Sequence, residues 1–351
     1  MKKKHLAYII PAKAHQGLSI KFQGQQKGFA SLGFQVKSLL LTQAAHGGFI
    51  QRCLAYLYFE CKALAVMLRA PYIYSRYNPK AFLNNCWLLG LSGAKSIVIE
   101  HNTKYAVELR VLKQPVAAAL NTFFLKMFAR TSLKHSVVTE GIKEYLISYG
   151  IAAKNIVVIQ NGYDLPNIKA AIDTPLLEKI QAFKKEVKKV GIFVGSGFKW
   201  HGVEDMIQLC ERHKIGLVIV CPKKIDSQSK AVLNVGYQPY KVIKALYEQV
   251  DFGFSSFALE KNNLEGCPLK AREYLCHGLP VCSKIQNDCI EKIPQMKQWV
   301  FNMAKDPKAL QALITKTHDK KEISDAAAQY LSWETQLKPV MACLSDARQA
   351  R

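Results

Sequence analysis

Short β-branched runs recur along this chain, each followed by a stretch with helical periodicity, and the series runs twice. The first set of runs covers residues 5–10, 35–41, 72–75, 96–99, 136–139 and 155–159, with helix-compatible segments at 21–32, 48–69 and 84–91 between them. The pattern pauses at Pro166 and Pro175, then restarts with runs at 189–194, 216–220, 232–235, 251–255 and 280–283. Strands alternating with helices give parallel sheets with right-handed crossovers. Two such series, joined near residue 165, imply an α/β chain of two Rossmann-like domains facing each other across a cleft. In open α/β sheets ligands bind beyond the carboxyl ends of the strands, so function is sought in the loops that follow them.

At 351 residues the chain is long enough for two domains of that size, and its 49% hydrophobic content excludes a disordered protein. Its charge is the unusual quantity: 49 basic against 26 acidic residues, a formal net charge of +23. Residues 1–150 carry +15 of it and residues 151–351 carry +8. A basic first half points to an anionic partner, whether nucleic acid, an anionic membrane or a phosphorylated substrate. Met1 to Lys4 look like the start of a signal peptide, but the apolar run behind them is six residues long and has no small-residue cleavage site. The most hydrophobic stretch, 53–74, is interrupted by Glu60, Lys62 and Arg69, too often for a membrane-spanning helix. A cytoplasmic protein is expected. Its ten cysteines show no CxxC pair; Cys267, Cys276, Cys282 and Cys289 are separated by eight, five and six residues. They read as reduced thiols, and no metal site is expected.

The richest segment runs from Leu264 to Val281. Gly266 and Pro268 make a strand-end loop, a short helix follows to Gly278, and Pro280 opens the next strand. The free N–H groups and positive dipole end of such a helix suit a phosphate, and Lys270 adds a counter-charge. Glu265 precedes the helix and Glu273 lies about one turn inside it, so one carboxylate can bond sugar hydroxyls while the other clasps a ribose diol.

The E-x7-E spacing of Glu265 and Glu273, with the Gly-x-Pro-Val turn after it, resembles glycosyltransferase family 4. Three more elements resemble that family in the right order: Asn161-Gly162-Tyr163-Asp164, the loop from Gly195 to Gly202, and Ser332-Trp333-Glu334. The resemblance implies a GT-B fold. Its acceptor-binding domain would span residues 1–165 and its nucleotide-sugar domain residues 166–328. A helix at 329–351 would return to the first domain. It also implies a retaining transfer with no cofactor and no required metal, the nucleotide-sugar (UDP- or GDP-linked) being a substrate. Carried over residue by residue, Glu273 would bind the ribose, Glu265 the donor sugar, and the backbone of Gly266, Cys267, Pro268 and Leu269 the diphosphate and sugar.

The sequence departs from the family pattern in places. Ser196 and His201 stand where the family often has Arg and Lys. Lys199 either takes over the cationic role, with His201 donating a hydrogen bond, or Lys199 is solvated and His201 packs at the turn. His101, after the run at 96–99, resembles a histidine that contacts the donor sugar through its ring or backbone; otherwise it is a polar turn residue. Gly17 alone matches the family's Gly-Gly loop. Arg76 ends another strand and could meet an anionic acceptor or cap the sheet. Lys62 and Arg69, with Lys126, Arg130 and Lys134, are interleaved with Tyr56, Tyr58, Phe59, Met67, Phe123, Phe124, Met127 and Phe128. Such stretches are either core-facing helices with solvated backs or, as the apolar bulk of residues 123–128 suggests, a basic amphipathic surface on an anionic inner membrane.

The expected function is transfer of a sugar from a nucleotide donor to a saccharide or lipid-linked saccharide in bacterial surface polysaccharide synthesis, such as capsule, O-antigen, lipopolysaccharide or exopolysaccharide. The enzyme would be cytoplasmic or peripheral on the cytoplasmic face of the inner membrane. Two alternatives stand beside it. A nucleotide-sugar epimerase of the same architecture would need further acid/base residues. A nucleic-acid-binding protein would show a zinc, helix-turn-helix or RNA-recognition signature, which the sequence lacks, so no nucleic-acid partner is expected.

Overall fold

A computed structural model describes residues 4–13, 16–41, 48–197, 201–223, 225, 227, 229–257, 265–285 and 287–349. The chain divides into two compact units, Met1–Gly162 with Trp333–Arg351, and Tyr163–Ser332.

In the first unit β1 (Lys4–Lys13), α1 (Gln16–Ser31), β2 (Phe34–Leu41), α2 (Phe49–Arg69), β3 (Tyr72–Arg76), α3 (Phe82–Leu91) and β4 (Ser96–His101) alternate strictly. Helices α4 (Tyr105–Val111) and α5 (Pro115–Phe128) then lead to β5 (Lys134–Val137), α6 (Glu140–Ser148) and β6 (Ile156–Val158). All six strands are parallel, in the order β2-β1-β3-β4-β5-β6. Strands covered on both faces need continuous apolar runs, and Leu6 to Ile10 are fully buried. The strand order reverses between β1 and β3, which sets a crevice at their carboxyl ends.

The second unit starts with α7 (Thr174–Glu186), β7 (Val190–Val194), α8 (Val203–His213), β8 (Gly216–Val220) and β9 (Val232–Asn234). It continues through α9 (Tyr240–Gln249), β10 (Phe252–Phe254), β11 (Glu265–Gly266), α10 (Leu269–Cys276), β12 (Val281–Ser283) and β13 (Asn287–Asp288). Helix α11 (Pro294–Lys297), β14 (Val300–Asn302), α12 (Ala309–Thr315) and α13 (Lys320–Leu331) complete it. The main sheet is parallel in the order β14-β12-β10-β7-β8-β9, and β11 pairs with β13 apart from it. Its reversal lies between β7 and β10. Strand β14, absent from the sequence reading, pairs with β12.

The last helix, α14 (Trp333–Gln349), belongs to the first unit and packs on α1 and β4. Trp333 is fully enclosed there. Glycines make its space: a Cβ on Gly162 would sit 2.8 Å from its ring, one on Gly28 3.0 Å from its Cβ, and one on Gly24 would collide with the indole. The Asn161-Gly162 and Ser332-Trp333 elements are thus two halves of one packing contact, 171 residues apart in sequence.

Candidate functional site

In the second unit the sheet reversal brings the loop after β7 and the start of α10 together. Pro268, in extended conformation, caps α10, and Gly278 ends it with φ +76°. Arg272, fully buried, fixes the segment ahead of the helix: one guanidinium nitrogen donates to the Pro268 carbonyl at 3.2 Å and another pairs with Asp288 at 2.8 Å. The Tyr274 hydroxyl accepts the Val194 N–H at 3.0 Å, tying the helix to the end of β7. Arg272 was not singled out from sequence, where it reads as one more charged residue between Lys270 and Glu273.

Lys270 lies over the Phe193 ring, its Nζ 4.4 Å from the centroid. That amine is buried and has no hydrogen-bond partner among the described residues. Burial pushes its pKa down to about 7, against the opposing pull of Glu273. Gly195 makes room for it, since a Cβ there would lie 3.0 Å from Nζ and 2.7 Å from the Phe193 ring. Burial likewise raises the Glu273 carboxyl to about 7, with Tyr247, Tyr163 and Lys270 drawing it back. Tyr163 and Tyr240 hydroxyls meet at 3.1 Å, and Tyr240 reaches His277 Nε2 at 3.0 Å, so a polar chain stands behind Glu273. His201 packs on the other side of Phe193, ring centroids 5.3 Å apart, and its carbonyl accepts the Phe257 N–H at 3.0 Å. Burial and Lys270 lower its pKa to about 3, so its ring is neutral.

Gly195, His201 and Lys270 are therefore gathered around Phe193, with Glu273 one turn along α10 from Lys270, Ser196 next in chain to Gly195, and Cys267, Pro268 and Leu269 leading into α10. Glu265 and Gly266 form β11. Lys199 lies outside the described residues.

In the first unit the crevice end of the sheet holds a buried network that the sequence did not announce. Lys21, from the second turn of α1, donates to Glu100 at 2.9 Å, to Asn161 at 2.6 Å and to Asn102. Gln25 donates to Glu100 at 2.8 Å and accepts from Tyr8. Burial raises the Glu100 carboxyl, but Lys21 and Arg76 outweigh it and hold the group ionised. Gly17 falls in the first turn of α1. His101 ends β4 with its ring fully buried, 4.8 Å from Tyr77 and bonded through Nε2 to His135 Nδ1 at 3.0 Å. Burial keeps both imidazoles neutral. The His101 ring is thus enclosed within the first unit, between Tyr77 and His135.

The two basic apolar stretches named from sequence each divide between core and surface. Phe124 and Phe128 are core residues, and Lys134 donates to Asn155 at 2.9 Å. Helix α5 still exposes Val116 and Phe123 near Lys126 and Arg130, while α2 exposes a longer stripe, Ile50 (71%), Leu54 (60%), Leu57 (50%) and Tyr58 (62%), with Lys62 and Arg69 exposed beside it. Among the described residues no helix is long and apolar enough to cross a membrane.

No protein-family model matches the chain, and no curated protein does. Solved structures match over its whole length. Sucrose-phosphate synthase (tll1590) from Thermosynechococcus elongatus is similar at 14% identity and a TM-score of 0.65, covering 99% of this chain and 100% of that one. Anabaena Alr3699/HepE, solved with UDP and glucose, gives 13% and 0.62 over 98% and 100%. WaaG, a glycosyltransferase involved in lipopolysaccharide biosynthesis, gives 14% and 0.61 over 96% and 98%. The fold is therefore GT-B. A UDP-GlcNAc 2-epimerase from Neisseria meningitidis, at 12% identity and 0.51 over 97% and 100%, has a related fold, so fold alone does not choose between transfer and epimerisation.

Proposed function

We propose that the chain is a retaining glycosyltransferase that moves a sugar from a UDP- or GDP-linked donor to a saccharide or lipid-linked saccharide. The observation that carries this reading is the Lys270–Glu273 pair: a buried amine without a hydrogen-bond partner among the described residues, one helical turn from a buried carboxylate. A charge kept out of water at such cost needs an anion to complete it. A nucleoside diphosphate supplies that anion to Lys270 and to the N-terminus of α10, and a ribose diol to Glu273.

In the transfer, the bond from the anomeric carbon to the diphosphate breaks while the acceptor oxygen bonds to the same face. The acceptor proton passes to the leaving phosphate oxygen, so no protein base is required. Lys270 and the helix N–H groups answer the charge that grows on the leaving group, and this reading asks for no metal. The half-buried, neutral His201 lends at most a hydrogen bond, and Lys199 is a second candidate cation. Glu265 is assigned to the donor sugar. The exposed stripe of α2 is assigned to the anionic inner-membrane face, which fits a lipid-linked acceptor and a role in surface polysaccharide synthesis.

A thermal-shift panel of nucleoside diphosphates and nucleotide-sugars tests the core of this proposal. A ligand at 100 times its Kd adds roughly 2.7 kcal/mol. Transfer requires an acceptor and releases nucleoside diphosphate. Conversion of a nucleotide-sugar alone into an isomer, without that release, would establish the epimerase instead. Salt-sensitive DNA binding with no shift from any nucleotide would favour the nucleic-acid alternative.

A further inference from the structure

Strands β11 and β13 run side by side in parallel register, with Glu265 opposite Asn287 and Gly266 opposite Asp288. Cys267 and Cys289 each come directly after the last paired residues, Gly266 and Asp288. Their side chains are within hydrogen-bonding reach, which raises the Cys289 thiol ahead of the effect of its burial. The paired residues just before them hold their Cα atoms about 5 Å apart, a spacing close to the roughly 4.4–6.8 Å that a disulfide spans. The Arg272 guanidinium interacts with both sulfurs and partly opposes the rise of the Cys289 thiol, and that rise loses its first cause once Cys267 is engaged by a reagent. Cys289 is buried, whereas Cys267 is partly exposed, so a reagent reaches one sulfur and the other waits behind it. The exposed cysteines of α2, Cys53 and Cys61, have no such relation: eight residues of helix separate them by about 12 Å.

We propose that Cys267 and Cys289 form a vicinal dithiol, a site of reversible oxidation and of capture by trivalent arsenicals, and that its closure weakens donor binding. The second half rests on the reading of the α10 loop as the donor site. With a small-molecule disulfide as oxidant, the Cys267 thiolate attacks one of its sulfurs and expels a small thiolate. The Cys289 thiolate then attacks the Cys267 sulfur and expels the second. Two protein thiols lose two protons and two electrons, and the small disulfide is reduced to two thiols. The new bond brings the sulfurs to about 2.05 Å. It joins the two segments that Arg272 already clamps, because Cys267 precedes Pro268 and Cys289 follows Asp288. Drawing them together re-aims the backbone ahead of α10, and a displacement of about 1 Å in such a positioned site can cost ~100-fold.

The full-length protein is exposed to oxidised glutathione, alkylated and digested. Binding of UDP and GDP to the reduced and oxidised forms is measured by calorimetry. A peptide pair linked through Cys267 and Cys289, with two hydrogens lost, is expected in wild type and absent in Cys267→Ser and Cys289→Ala. Wild type should bind phenylarsine oxide one to one, and either variant should bind it at least ten-fold more weakly. At least ten-fold weaker nucleotide binding is expected on oxidation, restored by dithiothreitol. The wild-type measurements need no variant to fold. Absence of the linkage together with no arsenical binding overturns the dithiol. A linkage that leaves nucleotide affinity unchanged overturns the coupling while the donor site stands. Nucleotide binding in neither form, with the linkage present, overturns the donor reading and the coupling with it and leaves the dithiol.

Discussion

Replacing Lys270 with Met should make the unliganded protein more stable and the nucleotide site worse. The amine falls from its ordinary 10.5 to about 7 because burial disfavours its charged form. At about 1.4 kcal/mol for each tenfold change in proton affinity, holding it there costs the folded unit about 4 kcal/mol near neutral pH. The penalty has a definite direction. It is absent above pH 10.5, where the lysine is neutral folded or unfolded, and it grows as the pH falls toward 7. Met keeps the stem over Phe193 and removes the charge. It also removes the counter-charge of Glu273, whose carboxyl then rises further and returns part of the gain. A net increase of about 1–3 kcal/mol is expected, or roughly 2–10 °C in melting temperature. Meanwhile UDP or GDP affinity should fall about 30- to 1000-fold, from the loss of one or two charge-assisted hydrogen bonds. Urea unfolding at pH 6, 7 and 9 without ligand, paired with calorimetric titration of nucleotide, measures both. A Met variant that unfolds more easily than wild type at pH 7 while binding nucleotide as tightly refutes the reasoning, since Lys270 would then be a structural cation.

Other outcomes follow from the same geometry. Glu273→Gln should weaken nucleotide binding by about 10- to 100-fold at pH 8 and by much less at pH 6, because a carboxyl raised to about 7 is already protonated there; calorimetry at the two pH values checks it. Gly162→Ala should cost about 1–3 kcal/mol by crowding the Trp333 ring, and Trp333→Ala about 3–5 kcal/mol, both read from denaturant midpoints. On anionic vesicles, Leu54→Ser with Leu57→Ser should reduce flotation, and Lys62→Gln with Arg69→Gln should lower binding by about 1 kcal/mol per charge. Lys126→Gln with Arg130→Gln should have a smaller effect than either, and the reverse ranking would return the contact to α5.

The parallel series were legible because a strand covered on both faces must be apolar without interruption, as Ile97 to Ile99 are, and few other local structures ask for that. The helix at 269–276 was legible for a different reason: a proline ahead of it and a left-handed glycine behind it mark both ends. Strand β14 offered three residues and no pattern. Lys21 and Glu100, 79 residues apart, become partners only once α1 folds back over β1 and β4, and nothing near either residue signals the other. On α2 the sequence carries two apolar stripes. Phe59, Ala63, Val66 and Met67 face the core, while Ile50, Leu54 and Leu57 recur with the same spacing and face outward. Periodicity finds stripes; it does not say which of two meets the sheet. At His101 the polar residue type suggested a working group, and the rings that enclose it are Tyr77, just after β3, and His135 of β5, with Phe128 of α5 packed behind both, all distant in sequence.

Trp333 sets an order of events during synthesis. A ribosome that has finished residue 162 has made every strand of the first sheet and all three glycines that shape the indole's seat, yet none of the helix that fills it. The second unit is continuous and can fold as soon as it emerges, so the unit begun first is completed last, against the usual N-terminal-first sequence. In the interval the first unit carries an open apolar groove along α1 and β4, a natural handle for chaperones. A chain released before residue 333 would hold a whole second unit and a first one that never closes, so closure of that groove reports that synthesis has passed the last helix of the first unit.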